Sequence, residues 1–138
     1  MAVGIRLGSI TDEIGSADFF HAFFSTISAN LEPDGWGTQF PTLMNKLYQG
    51  EIGQPDAEQA LRELDRASEQ LRQLPPDRVV WDVEDRTKLP PWGSNISSDI
   101  SDLSNYFVTS TGRDLISLIR EVLEELRDRG GVAKVVQY

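Results

Sequence analysis

The sequence predicts an α+β domain, and three observations carry that expectation. Short alternating apolar runs lie near both ends and in the second half of the chain. Three longer stretches repeat apolar residues at helical spacing. Two of these and a shorter helical stretch cluster between the first and second alternating runs, unlike the regular strand–helix alternation of a parallel α/β fold. The expected order is β-α-α-α-β-(short α)-β-α-β: about four strands packed with three to four main helices. One domain over residues 1–138 is expected, because 138 residues with 39% apolar content can bury one core.

Residues 2–10, AVGIRLGSI, place Val3, Ile5 and Leu7 on one strand face. The opposite face is small, with Ala2, Gly4 and Gly8, so backbone or helix can approach it closely. Thr11 to Gly15 reads as a turn. Ser16 is a good N-cap for a helix to about Asn30, whose Phe19, Phe20, Phe23, Phe24 and Ile27 form a core stripe. His21, the only histidine, falls off that stripe and has no second His or Cys with which to share a metal. Glu32 to Pro41 is a loop with Pro-Asp-Gly turn chemistry. Its Trp36, between two glycines, either folds back on the core or stands out for a partner.

Pro41 suits the first turn of a short helix with Leu43, Met44, Leu47 and Tyr48 inward and Gly50 ending it. Pro55 opens the next helix. Ala57, Ala60, Leu61, Leu64, Ala67, Leu71 and Leu74 form its stripe, and Glu58, Arg62, Glu63, Arg66 and Glu69 its solvated outer face. Pro75-Pro76 stops it. Arg78 to Glu84 reads as a strand with Val79, Trp81 and Val83 inward and Val80, Asp82 and Glu84 outward. Asp99 to Asn105 suits one or two helical turns capped by Ser97 or Ser98. Tyr106 to Ser110 suits a short strand, and Thr111 with Asp114 has capping-box spacing. A long helix then runs to about Arg129, ended by Gly130-Gly131, and Val132 to Tyr138 reads as the last strand.

The charge balance, 22 acidic against 13 basic for a net −9, argues against a nucleic-acid partner and favours a basic protein. Without cysteines there are no disulfides, thiolate metal sites or cysteine nucleophiles. No apolar run approaches the ~20 residues that cross a bilayer, and the N-terminus has no secretory pattern, so cytoplasmic residence without membrane contact is expected.

The stretch Trp81–Asp102, WDVEDRTKLPPWGSNISSDISD, stands apart as a long ordered loop. Asp82, Glu84 and Asp85 offer carboxylates to a partner's Arg or Lys, and Trp92 offers a rigid anchor. With Asn95 and Asp99, and Trp36 as an outside candidate, these are the expected partner-binding residues. Each has a structural alternative: Trp92 can plug the sheet, and Asn95, Ser97 and Ser98 can serve turns and caps. Trp81 itself belongs to the core. The same three carboxylates could hold a divalent metal, making a small metal-dependent hydrolase the runner-up reading. However, Arg86 stands where a Pro-Asp…(Asp/Glu)-x-Lys nuclease needs an acid before Lys88, and no other catalytic motif is present. A non-enzymatic protein without cofactor or metal is expected; the sequence does not indicate an oligomeric state.

Three segments, AVGIRLGSITDEIGSADFFHAFFSTISANLE, WGTQFPTLMNKLYQG and PPWGSNISSDISDLSNYFVTSTGRDL, resemble the bacterial immunity protein 70 family. Together they extend the resemblance over nearly the whole chain. It implies a cytoplasmic antitoxin of a polymorphic-toxin or contact-dependent inhibition system, which binds the toxic domain of a cognate effector, often a nuclease, and is not an enzyme. No family motif assigns toxin-contacting residues, so the candidate residues rest on the physical reading.

Overall fold

In a computed structural model, which describes residues 2–138, a four-stranded antiparallel sheet carries the helices. Strand β1 (Ala2–Leu7) and β2 (Ile10–Ser16) form a hairpin, followed by helix α1 (Ala17–Leu31). A π-helical turn (Leu43–Leu47) leads to a short strand β3 (Glu51–Gly53) and helix α2 (Ala57–Leu71). A long irregular segment then runs to helix α3 (Leu115–Arg129) and strand β4 (Val132–Gln137). The sheet order is β2-β1-β4-β3, so the chain's two terminal strands lie side by side in its centre. The α+β class and the four-stranded sheet agree with the sequence reading.

The helices follow from their sequences. Ser16 accepts a hydrogen bond from the Phe19 amide, and the whole phenylalanine stripe of α1 is buried. In α3 the cap is Asp114 itself, which accepts from Ser117, and not a Thr111–Asp114 box. Gly130 (φ 86°) ends that helix as expected.

Two of the four strands sit elsewhere than expected. Thr11–Gly15 is not a turn but most of β2. Gly8 (φ 64°) and Ser9 make a tight turn instead, and the polar residues suit a sheet edge with a solvated face. β3 had no alternation to announce it. Conversely, Arg78–Glu84 is not a strand. The Thr26 hydroxyl accepts from the Val80 amide and donates to the Val80 carbonyl, and the Asn30 amide donates to the Arg78 carbonyl. This backbone is satisfied by side chains of α1, so it has no need of a ladder. Tyr106–Ser110 makes only a single bridge, Val108 to Asp114, and Asp99–Asn105 forms turns without a helix.

Two carboxylates lie inside. Glu32, at the end of α1, accepts from the amides of Gly37, Gln39 and Phe40 and so shapes the Trp36 loop. Glu63, expected on the solvated face of α2, is fully buried; it accepts from the amides of Thr42 and Leu43 and from the Gln59 side chain. These bonds satisfy amides at the start of the π-helical turn that would otherwise be orphaned.

The small face of β1 serves a close approach, as expected. A Cβ on Gly4 would lie 2.8 Å from the Asp12 carbonyl oxygen and 3.3 Å from the Tyr138 ring, beside a register shift between Val3 and Gly4. Gly4→Ala should therefore lower stability by about 1–2 kcal/mol through overpacking. A urea midpoint equal to that of the parent would contradict this close-approach account.

Candidate functional site

The segment from Trp81 to Asp102 lies on the surface and is built as a chain of turns. Asp82 accepts from the Glu84 amide and Asp85 from the Thr87 amide and hydroxyl, and each carbonyl then closes a turn onto the amide three residues on. Farther along, Asn105 accepts from the amides of Ser101 and Asp102 and donates to the Asp99 carbonyl. One asparagine thus fixes the whole return of the loop. Trp81 is buried, as expected, and holds the segment to the core.

The expected site residues fall into two groups on either side of this anchor. In the first, Asp82 meets His21 Nε2 at 3.3 Å and Lys88 Nζ at 3.4 Å, while His21 Nδ1 lies 2.6 Å from the Tyr48 hydroxyl. Because a carboxylate only accepts, the tautomer with its proton on Nε2 satisfies both bonds: His21 donates to Asp82 and accepts from Tyr48. Trp36 belongs here. Its Nε1 donates to the Met44 carbonyl at 3.1 Å and its ring stands edge-on to Tyr48 at 5.2 Å. Of its two possible roles, Trp36 takes the back-folded one, leaving part of the ring at the surface. Burial, reinforced by Glu84 and Asp82, pushes the Tyr48 hydroxyl above its ordinary value, so it stays protonated.

In the second group, Trp92 stands edge-on to Trp81 at 5.4 Å and donates from Nε1 to the Tyr106 hydroxyl at 2.8 Å. The ring is 38% exposed yet fixed in place. Together with Asn95, Ile100 and Val108 it borders an apolar trough of about 400 Å³ floored by Phe19 and Tyr106. Asp99 is exposed and directly precedes the lining residue Ile100 in the chain.

The three acids that the sequence placed near one strand edge do not form one cluster. Asp82 is half-buried against His21, Asp85 is spent on Thr87, and of the three only Glu84 is exposed. Among the described residues, no group of three or more His, Cys, Asp or Glu side chains converges at metal-holding distance. His21, Tyr48, Tyr106, Val108 and Asn105 escaped sequence reasoning. Only His21 carried a signal, its position off the stripe of α1.

The turns have a titration consequence. The Asp82 carboxyl is held below the usual range first by the Glu84 amide, with His21 and Lys88 adding to it. That of Asp85 is lowered by the Thr87 hydroxyl and amide. At Asp102, burial pushes upward but is outweighed by hydrogen bonds from Ser104 and Ser101. The unfolded chain therefore binds more protons than the folded one near the ordinary carboxylate value. The stability these groups contribute is present above that value and is lost as pH falls through the lowered native ones. The urea midpoint should drop between about pH 5 and pH 3, and Asp102→Asn should flatten part of that drop. A parallel fall in parent and variant would remove Asp102 from the cause.

The fold and this surface define a small acidic α+β domain whose most irregular segment is pinned down and turned outward. The family model described as Immunity protein 70 matches residues 5–135, and the chain belongs to that family. No curated protein and no solved structure matches it. Family membership supports an immunity role exercised by binding a cognate toxin protein. Among the described residues no helix is long and apolar enough to cross a membrane.

Proposed function

We propose that this protein is the antitoxin of a bacterial polymorphic-toxin or contact-dependent inhibition system, acting in the cytoplasm by stoichiometric binding without catalysis. The target is a basic toxin domain, a nuclease, and the binding face is the 81–102 segment. The observation that carries the reading is the state of that segment. Its turns fix Glu84, Trp92, Asn95 and Asp99 at the surface, Asp82 and Asp85 close the first of those turns, and Trp36 packs behind them against His21 and Tyr48.

A nuclease must carry a basic groove to hold a phosphate backbone. A chain of net charge −9 with exposed carboxylates on a preformed loop competes for such a groove. Preformation matters because association then spends little free energy on ordering the loop. Co-expression with the C-terminal domain of a large secreted protein, where one is encoded beside this chain, tests the reading. The expected result is a one-to-one complex and cells protected from the domain's toxicity. Separate elution with unrelieved toxicity would overturn it.

A further inference from the structure

We infer that the trough beside Trp92 is the specificity pocket of the toxin interface, receiving one apolar side chain of the toxin with a basic residue close beside it. This rests on the immunity reading above and adds the place and the chemistry of recognition.

The trough joins three parts of the chain. Phe19 comes from the first turn of α1, Trp92, Ile96 and Ile100 from the long loop, and Tyr106 and Val108 from its return. Phe19 and Tyr106 are buried, whereas Trp92 is 38% and Val108 47% exposed. A floor out of water beneath exposed walls describes a socket, not a scattering of surface apolar residues. The socket is also stiff. Trp92 is held by Tyr106 and Trp81, and Asn105 fixes the loop that carries the other wall. Aromatic sockets that a partner fills and desolvates concentrate binding energy in interfaces.

Charge decides the occupant. Asp99 directly precedes the lining residue Ile100 and Asp18 directly precedes Phe19, and both acids are exposed. Neither forms an ion pair among the described residues, and no Lys or Arg lines the trough. A larger hollow of about 640 Å³ beneath the β1–β2 turn makes the contrast. There Asp12 and Glu121 are already paired with Arg113, and Glu125 with Arg129. That hollow has its counter-charges within the chain, whereas the acids next to Phe19 and Ile100 leave theirs to a partner.

The test uses the full chain and the toxin domain with which it co-purifies under the preceding experiment, with dissociation constants measured by titration calorimetry. Val108 is exposed, so its variants should keep the parent melting temperature. Val108→Arg and Val108→Asp should each weaken binding by about 30-fold, and Val108→Ile should stay near parent affinity. The Asp variant separates socket from charge, since added negative charge alone would tighten binding to a basic toxin. If Val108→Asp binds within twofold of the parent, or tighter, the trough is not the pocket although the immunity reading stands. A parent chain that fails to bind the toxin domain sinks both. A parent that dimerises in sedimentation, and becomes monomeric with Val108→Arg, would give the trough to a second copy and overturn the inference.

Discussion

Glu63→Ala is expected to destabilise the protein by about 3 kcal/mol, the largest single-site loss apart from truncation of the core. The side chain is fully buried, and its carboxylate accepts from two amides at the entry of the π-helical turn and from Gln59. Alanine removes the acceptors and leaves two buried N–H groups without partners, at about 1–3 kcal/mol each before relaxation. A domain of this size has roughly 5–15 kcal/mol in all, so the loss should be plain in a urea titration. Glu63→Gln keeps one acceptor oxygen in reach and should lose less than half as much. Equal losses in the two variants would show that volume, and not hydrogen bonding, is what the site supplies. The damage should reach the surface as well, because this turn leads directly to Tyr48, and Tyr48 positions His21 against Asp82.

The residues legible in the sequence are those whose role is set by spacing alone. The stripe Phe19–Ile27 and the caps at Ser16 and Gly130 are local, and a period of 3.6 and the capping residue types report them without knowledge of neighbours. Val79, Trp81 and Val83 show where such reading ends. Their alternation does report burial, and Trp81 is core. Alternation is silent, however, on what bonds the backbone, and here Thr26 and Asn30 of α1 take the place of a neighbouring strand. Glu63 failed for a related reason. It borders the apolar stripe of α2, and whether that flank faces water depends on the Pro41–Leu47 segment packed over it. The candidate site was legible as an ordered loop, because its Asp, Asn and Ser residues form the turns that composition suggests. Its division was not legible. His21 and Tyr48 reach it from α1 and the π-helical turn, and Phe19 and Val108 reach the other side, all through long-range contacts that no local pattern encodes.

Reversing charge at the exposed acids should slow toxin association without unfolding the domain. The geometry selects which acids to reverse. Asp82 and Asp85 hold the turns and would report structure as well as charge. Glu84 and Asp99 carry side chains with no hydrogen bond or ion pair among the described residues, so Glu84→Lys with Asp99→Lys changes the field by four charges at little structural cost. Long-range attraction acts before contact, when the partners are still separated by about a Debye length, ~8–10 Å at physiological salt. The double variant should therefore lower the association rate constant by about tenfold at low ionic strength. It should alter dissociation much less, because rim charges remain partly solvated in the complex. Added salt should slow the parent steeply and the variant only weakly, so that the two rates converge near 1 M, where screening is nearly complete. Stopped-flow mixing across a salt series reads all of this. A parent rate that stays flat with salt would end the steering account. A variant that associates normally but dissociates faster would instead place Glu84 or Asp99 inside the contact, where lost pairing acts on the bound state and not on the approach.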